Sequence, residues 1–184
     1  MHGESAFIHS AKSYNYECTI VRYQNIIGPE MGFGHAIPHI VERFVKGEKS
    51  PFKIYGHDQT RAFCYIDDAV IGTVGAMESD KAAGEIYHIG KQDEINMETL
   101  TTYIGELMDY TGEYEAAMTY PGSVARRCPN IDKAKSHFGY SPSIDWKKAV
   151  SLTTDWYRDF FTSGQSLQSA GFETPEAVLA KVKK

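Results

Sequence analysis

Residues 54–68 constrain the fold of this chain most, because they pass from strand to turn to strand to helix in one short stretch. Ile54 and Tyr55 predict a strand that ends at the turn-forming Gly56, and the polar residues 57–59 predict a loop. Arg61 follows at the start of a second, aromatic and β-branched strand. Its apolar side chains are Phe63, Tyr65 and Ile66. The stretch therefore predicts an α/β arrangement.

The residues after this strand predict a helix. Asp67 is a residue type that caps helices, and we expect it to cap this one. The apolar side chains that follow recur with the spacing of one helical face. They are Val70, Ile71, Val74 and Met77.

Arg61 is the first candidate binding residue. Its planar guanidinium, placed beside a tight turn, could hold phosphate oxygens two at a time. The alternative interpretation is an ordinary ion pair with a neighbouring carboxylate such as Asp58 or Asp67.

Charge and cysteine content exclude several classes of function. The net charge of −5 argues against a nucleic-acid or anionic-membrane surface, so phosphate groups would have to be met by local arginines. The three cysteines are odd in number and widely spaced, which is typical of reduced thiols in a cytoplasmic protein. No apolar run is long enough to span a membrane. His35 and His39 are four residues apart but have no acidic or cysteine partner nearby, so no metal site is expected.

The remaining pattern alternates short strands with helices. Residues 17–27 predict a strand, at whose end Asn25 could simply close an Asx-turn. A Gly-rich loop precedes a helix over 37–45. Asn96 is expected to cap a helix that Gly112 ends, and Asn130 to cap one that ends at Gly139. Further helices are predicted at 1–14 and 144–161.

The stretch around Arg61 resembles a signature of the nucleotide-sugar epimerases, dehydratases and decarboxylases of the extended short-chain dehydrogenase/reductase family. The matching residues are Tyr55-Gly56, Gln59-Thr60-Arg61, Phe63, Tyr65 and Asp68. The resemblance implies that Ile54 and Tyr55 lie along the nucleotide base and that Arg61 binds the pyrophosphate.

Two further motifs extend the resemblance. Residues 21–29 resemble the family's Val-Arg-x-x-Asn-x-x-Gly-Pro segment, which implies that Asn25 donates its amide to the substrate phosphate and that Tyr23 lies near the nicotinamide. In the loop that follows, His35, Ala36 and Ile37 become candidates for lining the sugar and base, although His35 could equally be an ordinary exposed residue. Residues 127–134 resemble Arg-x-Pro-Asp-Ile-x-Lys-Ala, with Asn130 in place of the usual Asp. This match implies that Arg127 reaches the phosphates opposite Arg61, with Arg126 as the alternative.

The resemblance implies a fold class and a division of the chain. We expect the C-terminal portion of an extended Rossmann-type enzyme: a small mixed α/β substrate-binding domain with a remnant of the parallel sheet. Residues 1–161 would form this truncated domain. Residues 162–184 would form a tail with a short helix starting at Thr174-Pro175.

The family's Gly-rich dinucleotide turn and its Tyr-x-x-x-Lys pair have no counterpart in this sequence. The resemblance therefore implies no catalytic residue in this chain and no tight binding of NAD or NADP by it. The expected ligand is a UDP- or dTDP-sugar. Three alternatives stay open: a UDP-glucuronate decarboxylase-like member of the family, a non-enzymatic nucleotide-sugar-binding module, and a module that forms homodimers.

Overall fold

The computed structural model describes residues 2–119 and 122–165 and shows a mixed α/β fold, which confirms the predicted class. Its helices are α1 (His2–Tyr14), α2 (Ala36–Val45), α3 (Ile66–Glu78), α4 (Met97–Leu107), α5 (Asp132–Phe138) and α6 (Trp146–Thr162). Its strands are β1 (Ile20–Tyr23), β2 (Ile26–Ile27), β3 (Phe52–Tyr55), β4 (Thr60–Ala62), β5 (Cys64–Tyr65), β6 (Ile86–Ile89), β7 (Glu94–Asn96), β8 (Tyr114–Ala117) and β9 (Arg126–Arg127). The tail predicted to begin a helix at Thr174 lies outside the described residues.

The chain divides into two compact units, each assembled from three separate segments. Unit 1 comprises residues 1–26, 61–94 and 127–144. Of the described residues, unit 2 comprises 27–60, 95–119, 122–126 and 145–165.

Unit 1 is built on a parallel pair of strands. β1 and β6 run side by side, with Ile20 opposite Ile86 and Tyr23 opposite Ile89. The core beside them is made mainly of residues from α3, β6 and α5. Its buried members are Cys64, Ala69, Ala76, Ala82, Tyr87, Ile89, Ile131, Ala134 and Tyr140. This parallel pair agrees with the predicted remnant of a parallel sheet.

The face by which α3 packs into unit 1 differs from the prediction. The larger side chains expected to form its apolar face point outward, with Ile71 62% and Met77 75% exposed. The buried face consists instead of Asp68, Ala69, Gly72 and Ala76. A Cβ at Gly72 would lie 2.7 Å from the ring of Tyr140, so only glycine allows this close approach.

The start of α3 also corrects the prediction. Tyr65 occupies the N-cap position and makes no side-chain capping bond, and Asp67 lies in the first turn. The neighbouring Asp68 is 1% exposed and accepts hydrogen bonds from the backbone N–H groups of Ser143 (3.0 Å) and Ile144 (2.9 Å). A carboxylate with such partners can be buried without a large desolvation cost. Asp68 therefore anchors the loop after α5.

Unit 2 packs α2, α4 and α6 with a second parallel pair, β3 and β8, in which Phe52 lies opposite Tyr114. Its core is aromatic and branched aliphatic. The most fully buried side chains are Ile27, Ile37, Val41, Phe52, Leu100, Ile104, Val150 and Tyr157. Asn96 caps α4 as predicted, accepting from the Thr99 N–H at 2.7 Å.

Several predicted boundaries were wrong because local backbone geometry intervened. α4 ends at Leu107, and Asp109 with φ of 55° turns the chain before Gly112. The Asn130 side chain accepts from the Asp132 N–H two residues on, in an Asx-turn, and α5 starts at Asp132. None of the helices among the described residues is long and apolar enough to cross a membrane.

Candidate functional site

The predicted strand over residues 17–27 is interrupted at Asn25, which adopts the left-handed conformation with φ of 46°. The backbone is held on both sides of this bend. The N–H of Gln24 donates to Ile89 O at 2.9 Å, and the N–H of Cys64 donates to Asn25 O at 3.1 Å. Asparagine is one of the few residues that tolerate this region, so its presence at the bend has a conformational reason.

The side chain of Asn25 brings together two of the predicted phosphate-binding residues. Its Nδ2 donates to the backbone carbonyl of Arg127 at 3.3 Å, across a separation of 102 residues in the chain. Arg127 itself is exposed. The side-chain amide thus fixes the backbone from which the Arg127 guanidinium extends.

Arg61 belongs to the same unit as Asn25 and Arg127. It lies in the middle of β4, not at the start of its strand, because Thr60 already belongs to β4. β4 and β9 are hydrogen-bonded neighbours, so the strands that carry Arg61 and Arg127 run beside each other. Two guanidinium groups on adjacent strands suit a doubly charged anion such as a pyrophosphate. Arg126, the alternative to Arg127, is also exposed and is assigned to unit 2.

The residues predicted to lie along a nucleotide base are found at the end of β3. Ile54 is buried in unit 2, whereas Tyr55 is 51% exposed and precedes the turn at Gly56, whose φ is 64°. The guanidinium of Arg43 lies 4.0 Å from the ring centroid of Phe52 and 5.3 Å from that of Tyr55. A cation held beside an aromatic ring restricts the orientations of that ring.

Arg43 is itself fixed by a two-pronged ion pair that sequence reasoning missed. Its Nε and Nη2 each donate to a carboxylate oxygen of Glu48 at 2.6 Å, and Nη2 also donates to Lys53 O at 2.7 Å. The turn at Gly47 places the two charges face to face, since Arg43 lies in the last turn of α2 and Glu48 follows the turn. An Arg and a Glu on either side of a glycine that ends a helix could have indicated this pair.

Glu48→Gln is expected to remove a pH dependence of stability. The Arg43 guanidinium lowers the pKa of Glu48 below its ordinary 4.5, so the pair stabilises the folded chain above that pH and loses this effect as pH falls through the lowered pKa. The difference in melting temperature between wild type and Glu48→Gln should therefore be largest near neutral pH and shrink in acid. A difference that stays constant from neutral to acid pH would contradict this role.

The three loop residues predicted to line a sugar or base differ in exposure. His35 and Ala36 are exposed, and His35 occupies the N-cap position of α2 without a side-chain capping bond. Ile37 is only 1% exposed and belongs to the core of unit 2. Their role in ligand binding stays a prediction.

Tyr23, the residue predicted to lie near a nicotinamide, is the last residue of β1 and is 52% exposed. Its hydroxyl forms a 2.9 Å hydrogen bond with Thr73 Oγ1 of α3. This bond fixes the orientation of a ring that still has accessible surface. A fixed, accessible aromatic ring fits the flat nicotinamide group.

Neither metal chemistry nor thiol chemistry is indicated in the described ranges. Within residues 2–119 and 122–165 no cluster of His, Cys, Asp or Glu could hold a metal ion. Burial raises the pKa of the Cys64 thiol to about 11. This thiol is therefore protonated at neutral pH and a poor nucleophile.

The comparison with protein families decides what kind of chain carries this arrangement. Residues 1–90 match the model of the NAD dependent epimerase/dehydratase family. Over these residues the chain is similar to that family. The matched residues include β1 and its parallel partner β6. They also include Asn25, which follows β1, and Arg61 of β4.

Curated members of the epimerase/dehydratase family include relatives of similar sequence. UDP-N-acetyl-alpha-D-glucosaminuronate decarboxylase of Bacillus cytotoxicus is 31% identical over 151 residues, which cover 77% of this chain and 46% of the relative. UDP-glucuronic acid decarboxylase 5 of Arabidopsis thaliana is 30% identical over 149 residues, which cover 80% and 43%. The chain thus spans less than half of the length of these two relatives.

A solved structure shows the same fold. UDP-glucose 4-epimerase of Thermotoga maritima, determined with UDP-glucose, superposes with a TM-score of 0.75 at 25% identity. The superposition covers 86% of this chain and 51% of the epimerase. The fold of this chain is therefore that of about half of a Rossmann-type epimerase.

Proposed function

We propose that this chain is the sugar-nucleotide-binding portion of an NAD(P)-dependent nucleotide-sugar epimerase/dehydratase. The observation that carries the proposal is the placement of Asn25, Arg61 and Arg127 in one unit, with Asn25 bonded to Arg127 and the two arginines on adjacent strands. In a chain of net charge −5, such a local pair of cations is what a pyrophosphate requires. The names of the relatives support a UDP- or dTDP-sugar as ligand, and those of the decarboxylases favour UDP-glucuronate.

The proposed division of roles follows from the chemistry of the side chains. The guanidinium groups of Arg61 and Arg127 hold the pyrophosphate oxygens, and Tyr55 contributes its ring to the base. His35, Ala36 and Ile37 belong to the loop proposed to lie beside the sugar, and Ile54 supports the strand that carries Tyr55. Holding the sugar nucleotide in one orientation contributes to catalysis through positioning.

The cofactor proposal concerns NAD or NADP, which accepts and returns a hydride when bound to family enzymes. Tyr23 would present its ring to the nicotinamide, with Thr73 holding the ring in place. The sequence contains no Gly-rich dinucleotide turn, and its one Tyr-x-x-x-Lys spacing, Tyr87 to Lys91, begins on the buried strand β6 and not on a helix. We therefore propose that this chain alone has no catalytic residue and performs no hydride transfer.

The test is an assay of the purified chain with UDP-glucose, UDP-glucuronate and dTDP-glucose, each in the presence of NAD. We expect no turnover and no tight NAD binding, together with measurable binding of a nucleotide sugar by calorimetry. Turnover of any of the three substrates by this chain alone would contradict the proposal. If the chain binds no nucleotide sugar, with NAD present or absent, the proposal that it binds sugar nucleotides is wrong.

Self-association belongs to the same proposal. Phe7 of α1 is 62% exposed, and the outer face of α3 exposes further apolar side chains, as described above. Exposed apolar surface of this kind favours association. A homodimeric state and a cytoplasmic location both stay predictions.

A further inference from the structure

The side-chain amide of Asn25 contacts a backbone carbonyl of the protein. The family resemblance implies that this amide donates to a substrate phosphate. In the structure, Nδ2 donates to the carbonyl of Arg127 at 3.3 Å. One of the two N–H groups of the amide is thus committed to the backbone of the neighbouring phosphate-binding residue.

The backbone at Asn25 is held firmly, so the point from which the side chain extends is fixed. Its φ of 46° is set within the bend, and its carbonyl accepts the N–H of Cys64 at 3.1 Å. The residue directly after β1 is also held, since the N–H of Gln24 donates to Ile89 O at 2.9 Å. A rigid bend therefore projects the amide toward β9.

β9 needs such a support. It contains only Arg126 and Arg127, and both are exposed. β9 pairs with β4, and the Asn25 amide adds a side-chain hydrogen bond to the Arg127 carbonyl of this two-residue strand.

We infer that Asn25 is a positioning residue for Arg127: its amide holds the Arg127 carbonyl and so directs the guanidinium toward the pyrophosphate. This inference rests on the proposed function, because it assigns the ligand of Arg127 from there. It differs from a direct phosphate contact in one measurable way. An effect transmitted through Arg127 disappears when the Arg127 side chain is removed.

Asn25→Gly is the sharpest test, because glycine adopts a positive φ freely and removes only the amide. Binding of UDP-glucuronate is measured by calorimetry for wild type, Asn25→Gly, Arg127→Ala and the double variant. We expect Asn25→Gly to weaken binding about three- to tenfold, as for one hydrogen bond. In the Arg127→Ala background the same change should have no further effect.

Asn15→Gly is the matched control. Asn15 is also an asparagine with positive φ (54°) in unit 1, at the end of α1. This variant should bind UDP-glucuronate as wild type does. If the losses of Asn25→Gly and Arg127→Ala multiply in the double variant, the amide contacts the ligand directly and the inference is wrong.

A second measurement needs no ligand and separates the inference from the proposed function. Amide hydrogen exchange of the free chain should become faster at residues 126–128 in Asn25→Gly and stay unchanged there in Asn15→Gly. Unchanged exchange at 126–128 in Asn25→Gly would overturn the inference even if the chain binds UDP-glucuronate. Failure of wild type to bind UDP-glucuronate or any other nucleotide sugar would overturn the proposed function and leave the exchange result to decide the link between Asn25 and β9.

Discussion

Asp68→Ala is expected to be among the most destabilising single substitutions in this chain. The carboxylate is 1% exposed, and its loss leaves the N–H groups of Ser143 and Ile144 without their acceptor. A hydrogen bond to a charged group contributes roughly 1.5–3 kcal/mol. Because Ser143 is exposed and Ile144 is half-buried, water can partly replace the lost acceptor, and the free energy of unfolding should fall by roughly 1.5–3 kcal/mol in total. Urea unfolding followed by circular dichroism measures this change.

Asp67→Ala is the matched control for Asp68→Ala. The two carboxylates are adjacent in the sequence, but Asp67 is exposed in the first turn of α3, where its charge is favoured by the helix dipole. Its removal should change stability by less than about 1 kcal/mol. Similar losses for the two variants would show that Asp68 does not anchor the loop after α5.

Arg127→Ala and Arg61→Ala should each weaken nucleotide-sugar binding about ten- to a hundredfold. A hydrogen bond to a charged group contributes roughly 1.5–3 kcal/mol, and each guanidinium is proposed to make at least one to the pyrophosphate. Arg127→Lys keeps the charge but loses the planar fork, so it should recover only part of the affinity. Calorimetric titration with UDP-glucuronate measures these changes, and circular dichroism verifies that each variant is folded.

Arg126→Ala is the matched control for Arg127→Ala, because the two side chains are neighbours on β9 and both are exposed. This variant should retain affinity within about twofold, as expected for a surface substitution outside the site. If only Arg126→Ala weakens binding, the assignment of Arg127 is wrong and Arg126 is the second phosphate-binding residue.

The helix α3 shows why its existence could be predicted from the sequence and its orientation could not. Val70, Val74 and Met77 have helical spacing, but so do Ala69, Gly72 and Ala76, and the second set is the buried one. Hydrophobicity favours the first set, whereas the room available beside Tyr140 admits only small side chains. The packing partner decided between the two faces, and that partner lies far away in the sequence.

The candidate site shows a similar limit. Motif resemblance identified Asn25, Arg61 and Arg127 as candidates, but their local patterns contain no information on which backbone atom each one contacts. The bond from Asn25 to Arg127 O depends on a left-handed residue at 25 and on the position of β9, both of which are set by tertiary contacts. The ion pair of Arg43 and Glu48 was missed because neither residue belongs to a recognised motif. Arg43 instead lies beside the ring of Tyr55.

The interleaving of the two units determines the order in which the chain can fold as it is synthesised. β1 finds its parallel partner only at β6, and the core of unit 1 is complete only when α5 has been made. Unit 2 likewise waits for α6, whose Val150 and Tyr157 are fully buried. The two units are therefore expected to complete their folding at nearly the same stage of synthesis. For the same reason, no single cut of the chain yields an intact unit.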